Sequence, residues 1–218
     1  SDLVYGGYTY SENRGQGGVF VTFGPVSGNV SAADAPVAFV GPSDGAWAGK
    51  AISLGDTNGD GHVDLVVGAP GYTDTASQQG AVYVVLGPLD TSRDLAAADA
   101  TFTGRNEEDL AGAAVDLSGD LNRDGNADLV VGAPGADSGG SESGGAYAYY
   151  GPVSGTGALG AADIIINATT SGDAVGSSVR FGGDLNGDGL EDLLLGAPTS
   201  DAAALDAGAT YVLMGTSW

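Results

Sequence analysis

Asp, Asn and Gly recur through this sequence at a spacing that suits a hard cation. The stretch DTNGDGHVDLVVGAP runs from Asp56 to Pro70, DLNRDGNADLVVGAP from Asp120 to Pro134 and DLNGDGLEDLLLGAP from Asp184 to Pro198. The leading Asp returns every 64 residues without slippage. Side-chain oxygens fall at alternate positions and then at the ninth: Asp56, Asn58, Asp60 and Asp64; Asp120, Asn122, Asp124 and Asp128; Asp184, Asn186, Asp188 and Asp192. The seventh residue (His62, Asn126 or Leu190) would add its backbone carbonyl, and the Gly before it permits the sharp turn. Three carboxylates, one amide oxygen and one carbonyl form a donor set for calcium. Zinc would want imidazole or thiolate, and magnesium a stricter octahedron than so flexible a loop offers. A turn rich in Asp, Asn and Gly also forms without metal. Each copy, however, gathers about three negative charges that repel one another unless a cation joins them. The expectation is about three calcium ions per chain.

The elements around these loops follow from what comes after them. An EF-hand needs a bidentate Glu at the twelfth position and helices on both sides. Here the twelfth residue is Val67, Val131 or Leu195, inside an apolar run that reads as a strand buried on both faces. The calcium loop therefore belongs in a β-hairpin. A second strand follows at Gly18 to Pro25, Gly80 to Pro88, Gly145 to Pro152 and Gly208 to Gly215. Then come a linker with a small AAD element (Ala32 to Asp34, Ala97 to Asp99, Ala161 to Asp163) and a third strand at Val37 to Val40, Thr101 to Thr103 and Ile164 to Asn167. The fourth alternates: Ile52 and Leu54, Val115 and Leu117, Val179 and Phe181 point one way, with Ser53, Asp116 and Arg180 on the other face. Four short strands at a fixed period predict an all-β array of blades around an axis.

Composition bounds the functions. The 218 residues carry 28 acidic against 6 basic side chains, a net charge of −22. Three bound calcium ions would bring this only to about −16. Such a surface repels nucleic acid and anionic membrane, so neither is an expected partner. Without Cys there is no disulfide framework and no thiol chemistry. No apolar stretch is long enough to span a bilayer as a helix, so membrane insertion is not expected. His62 is the single His, and no nucleophile–base pair accompanies it. Asp74, Asp137 and Asp201, and the run Glu107, Glu108 and Asp109, read as solvated loop residues. The chain is expected not to be an enzyme.

The DxNxDGxxD loop with its following VGAP or LGAP, and an AG or VG upstream (Ala48-Gly49, Ala111-Gly112, Val175-Gly176), resembles the FG-GAP repeat. That repeat builds the seven-bladed β-propeller of integrin α-subunits and of related bacterial or archaeal surface proteins. The resemblance covers nearly the whole chain, although no Phe precedes the upstream glycines. It implies four-stranded blades divided as a partial blade at 1–41, blades at 42–104 and 105–167, and a partial blade at 168–218. Fourteen strands, or about three and a half blades, are expected. Self-closure of such an array looks strained, so the chain is expected to be a fragment of a longer propeller or a subunit completed by neighbouring copies through strand addition. The resemblance also implies a calcium-binding extracellular or cell-surface module for adhesion, surface assembly or scaffolding, with a protein or glycan ligand. The alternative is a calcium-dependent extracellular hydrolase or lyase, or an accessory domain of one. Recognition loops would lie opposite the calcium loops, at 72–79, 136–143 and 199–206 and at 42–47, 105–110 and 169–174.

Overall fold

A computed structural model of the chain describes residues 1–8 and 15–215. Its strands form four consecutive antiparallel sheets, in line with the repeat period. The first contains β1 (Leu3–Gly6), β2 (Gly18–Thr22) and β3 (Val37–Val40). The second contains β4 (Ala51–Gly55), β5 (Asp64–Ala69) and β6 (Ala81–Val85), with β8 (Ala100–Thr103) outside them; the short β7 (Arg93–Asp94) intervenes in the chain. The third contains β9 (Ala114–Gly119), β10 (Asp128–Ala133) and β11 (Gly145–Tyr149), with β13 (Ile164–Asn167) outside them and β12 (Gly155–Ala158) intervening. The fourth contains β14 (Ser178–Gly183), β15 (Asp192–Ala197) and β16 (Ala209–Leu213).

Neighbouring sheets pack face to face, and the two-residue period of a strand explains how. In β5, Leu65 and Val67 enter a core shared with the first sheet, while Val66 points into the core shared with the third. In β10, Leu129 and Val131 face back to the second sheet and Val130 faces forward to the fourth. An apolar middle strand is therefore the mark of a sheet with a neighbour on both sides. Each such side chain contributes about 1.5–3 kcal/mol by leaving water.

Glycine sets the spacing between units. A Cβ on Gly6, Gly68 or Gly132 would collide with the carbonyl of Gly49, Gly112 or Gly176 in the following repeat. The two repeated halves of the motif thus meet across the boundary between units, where only backbone fits against backbone.

Two elements differ from the sequence expectation. The linkers contribute strands of their own: β7 pairs in parallel with β3, and β12 in parallel with β8. The small linker element is a 3₁₀ turn at Ala32–Asp34, Leu95–Ala97 and Leu159–Ala161, so the AAD matches of the second and third copies are offset by two residues. The Asp of those two matches has another role. Asp99 accepts the Leu86 N–H and Asp163 the Tyr150 N–H, both at 2.8 Å. Pro36 holds the equivalent place in the first copy.

Candidate functional site

The three Asp-rich loops join β4 to β5, β9 to β10 and β14 to β15, so alternation of strand direction puts all three at one end of the array. Their internal geometry repeats nearly atom for atom. The N–H of the fifth residue reaches Oδ1 of the first at 3.2 Å in the first two loops and 3.1 Å in the third (Asp60 to Asp56, Asp124 to Asp120, Asp188 to Asp184). The glycine N–H that follows reaches the other oxygen of the first Asp at 2.9, 2.9 and 2.7 Å. His62, Asn126 and Leu190 each donate their N–H to the fifth Asp at 2.8 Å. The side-chain amide of Asn58, Asn122 or Asn186 donates to that same Asp. These backbone N–H groups hold Asp60, Asp124 and Asp188 below the usual carboxylate range, with the Asn amides acting in the same sense.

The ninth Asp is different. Asp64, Asp128 and Asp192 are fully buried, and each uses both oxygens on backbone N–H groups. One oxygen takes the second residue of the loop: Thr57 at 2.9 Å, Leu121 at 2.6 Å, Leu185 at 2.7 Å. The other reaches the end of the third strand in the sheet: Gly87 and Gly151 at 2.8 Å, Gly215 at 2.6 Å. This Asp therefore braces the loop to the rest of its sheet. Burial pushes Asp64 and Asp128 above the carboxylate range against the pull of those N–H bonds. The charges of Asp56 and Asp60, and of Asp120 and Asp124, push the same way.

Each loop thus brings oxygen donors together with one buried carboxylate behind them; Oδ1 of Asp56 and of Asp184 accepts two backbone N–H groups, whereas Oδ2 of each accepts one. Among the described residues, no three carboxylate or imidazole groups stand in a metal-holding cluster by themselves. Any ion in a loop would need the Asn amide oxygen and the carbonyl of His62, Asn126 or Leu190 as well as the carboxylates. Those oxygen types fit a hard cation. The first two loops also touch: the Ala127 N–H donates to the Asp56 carbonyl at 2.8 Å, and the Val153 N–H, in the linker after β11, to the buried Thr57 hydroxyl at 3.2 Å. The three loops form the acidic rim of that end of the array.

The opposite end carries the other two sets of loops, which interlock. Glu108 and Leu110 donate their N–H groups to Ser77 and Gln78, and Gly172 and Ala174 to Ser141 and Glu142. Among the described residues, seven of the eight non-glycine residues with positive φ lie here: Trp47, Gln78, Glu108, Leu110, Glu142, Ala174 and Asp206. Left-handed backbone at such residues costs on the order of 1 kcal/mol or more each, and surfaces that bind partners are where such strain collects.

Several side chains at this end that the sequence suggested were solvated are structural. Asp109 is only 3% exposed, and its carboxylate accepts the N–H groups of Arg105 and Asn106. Asp137 and Asp201 accept the N–H groups of the strained Glu142 and Asp206 at 2.8 and 2.7 Å. Sequence reasoning also missed a link along the strands that lead into the acidic loops. Ser53 donates its hydroxyl to the fully buried Asp116 and accepts the Leu117 N–H, while Asp116 accepts the Phe181 N–H. The common two-residue alternation of β4, β9 and β14 was the available signal, because it put Ser53, Asp116 and Arg180 on one face.

A family model described as FG-GAP repeat matches residues 48–85, 111–149 and 175–213. The chain is also similar to curated proteins. It is 35% identical to phosphatidylinositol-glycan-specific phospholipase D of Rattus norvegicus over 158 residues, covering 69% of this chain and 18% of that protein. It is 32% identical to integrin alpha-IIb of Homo sapiens over 162 residues, 72% of this chain and 15% of the other. With integrin alpha pat-2 of Caenorhabditis elegans it shares 31% identity over 173 residues, 74% of this chain and 14% of the other. The chain thus spans less than a fifth of the length of these relatives.

Proposed function

This chain belongs to the FG-GAP repeat family, and from that premise we propose that it is a calcium-stabilised extracellular or cell-surface β-propeller module that carries an adhesion, assembly or scaffolding surface. The carrying observation is the repeated geometry of the acidic rim: three loops place the same oxygen donors in the same arrangement. Loops of this donor type span a wide range of affinities, and the weaker ones fill only at the calcium concentrations found outside cells. Kinship with integrin alpha chains supports the same setting. In this reading calcium ties each hairpin tip together and offsets the crowding of carboxylates. The interlocked, strained loops at the other end hold the surface offered to a protein or glycan.

The role is one of binding rather than catalysis. Similarity to a phospholipase D is confined to 18% of that enzyme's length, which fits an accessory module carried beside a separate active domain. The test is surface capture: the chain is immobilised and probed with native cell-surface protein and glycan arrays, in calcium and in chelator. Saturable capture lost on substitutions in 136–143 or 169–174 supports the reading. Turnover of glycan or phospholipid by the purified chain would overturn it.

A further inference from the structure

The two junctions between neighbouring acidic loops are built differently. Between the first and second, one peptide unit serves both loops. The Asn126 carbonyl is the seventh-position oxygen of the second loop, and the next N–H, that of Ala127, donates at 2.8 Å to the carbonyl of Asp56, which opens the first loop. The fit around this bond is close: a Cβ on Gly59 would stand 2.7 Å from Asn126 Oδ1, and one on Gly55 3.0 Å from the Ala127 methyl. Between the second and third loops this arrangement is not repeated. Among the described residues no backbone hydrogen bond joins those two loops. Leu121 stands where the first loop has the Thr57 hydroxyl, and a Cβ on Gly119 would collide with the Phe181 ring. The Glu191 carboxylate turns back to the Gly183 N–H of its own hairpin. What reaches the third loop is charge: a Cβ on Gly189 would stand 3.0 Å from the Arg123 guanidinium.

We propose that the first and second loops fill with calcium as a coupled pair, while the third fills separately and at higher concentration; this rests on the calcium reading above. A cation drawing on the Asn126 carbonyl polarises that peptide and makes the Ala127 N–H a stronger donor to Asp56, because linked hydrogen bonds polarise one another. The bond fixes the backbone of Asp56, whose side-chain oxygens accept the N–H groups of Gly59, Asp60 and Gly61 and so shape the first loop. An ion in either loop thereby orders part of the other, and the coupling is reciprocal by thermodynamic necessity. An ion in one loop also lowers the negative potential at the other. Salt screens that opposing effect because the loops are exposed, but leaves the shared peptide untouched. The third loop lacks the shared peptide and has the Arg123 charge beside it, which repels a cation; the equivalent residue beside the second loop is the uncharged Gly59.

The test is a calcium titration of the isotope-labelled, chelator-stripped 218-residue chain in about 0.15 M salt. It is read by NMR at the amides of Gly61, Gly125 and Gly189, each bonded to the first Asp of its own loop. Gly61 and Gly125 should move together with a Hill coefficient above about 1, and Gly189 at a midpoint roughly threefold higher or more. Asp60→Ala, which takes a donor from the first loop, should raise the midpoint at Gly125 by roughly threefold or more and leave Gly189 in place. Asp124→Ala should shift Gly61 by the same factor, and it decides the matter if Asp60→Ala does not fold. Arg123→Gln, which keeps the length and removes the charge, should lower the midpoint at Gly189 more than at Gly125. The proposal is overturned if the three glycines follow independent curves, if Asp60→Ala leaves the Gly125 midpoint unchanged, or if the third loop fills first; each of these leaves the calcium reading standing. If no glycine responds at millimolar calcium, the calcium reading falls and the proposal with it.

Discussion

Replacing Asp128 by Asn separates two roles that the acidic loops combine. Asp128 is buried, and its two oxygens accept the Leu121 N–H at 2.6 Å and the Gly151 N–H at 2.8 Å. Asn can accept only one of these bonds and turns an NH₂ group toward the other donor. A stranded buried donor costs about 1–3 kcal/mol, and the lost charge assistance adds to that. Relief of the carboxylate's own burial works in the opposite direction. The net expectation is a loss of about 2–4 kcal/mol. In a chain of this size that lowers Tm by roughly 5–15 °C. The loss should appear with calcium and also in EGTA, because the brace needs no ion. Asp124→Asn is the contrast: its carboxylate is exposed, so in EGTA the change should stay within about 0.5 kcal/mol. In calcium at a hundred times the dissociation constant it should cost about 2.7 kcal/mol, the full linkage of one site. Differential scanning calorimetry of both variants in both buffers reads all four values. If Asp128→Asn melts like the wild type in EGTA, the bracing argument is wrong.

Asp116→Ala should lower stability by about 1–3 kcal/mol, since it strands the part-buried Phe181 N–H and removes the acceptor of Ser53, whereas Arg180→Ala, at a largely exposed side chain, should cost less than about 1 kcal/mol; chemical denaturation compares the two. Gly132→Ala places a methyl against the Gly176 carbonyl between repeats and should cost about 1–3 kcal/mol or prevent soluble expression, whereas Ala in the exposed Gly172, which has open space but positive φ, should cost only about 1 kcal/mol. Arg123 occupies a left-handed position (φ 61°) filled by Gly59 and Gly187 in the sister loops, so Arg123→Gly should leave stability unchanged or raise it by up to about 1 kcal/mol in a thermal melt.

The fold was legible because its signals repeat. The loop spacing, the apolar strand after it and the alternating strand before it return in register, so one misread copy is corrected by the other two. What stayed hidden depends on contacts between repeats or on the fate of individual oxygens. Asp64, Asp128 and Asp192 look like ligands from spacing alone, and nothing local reveals that their two oxygens tie the loop to a glycine 23 residues later. The glycines before Ala-Pro could be aligned, but the need for glycine comes from the neighbouring repeat's carbonyl. β7 and β12 were missed because Arg93-Asp94 and Gly155-Thr156-Gly157-Ala158 have no strand pattern; they are strands only because an edge stands beside them. Asp109 read as part of an acidic surface run, yet the turn of its loop folds it inward onto two N–H groups.

The central claim is that the acidic rim is a row of calcium sites. Isothermal titration of calcium into the chelator-stripped 218-residue chain tests it most directly. The account predicts saturation at about three ions per chain, falling by one each for Asp60→Ala, Asp124→Ala and Asp188→Ala. Absence of binding at millimolar calcium, or a stoichiometry that these substitutions leave unchanged, would contradict it.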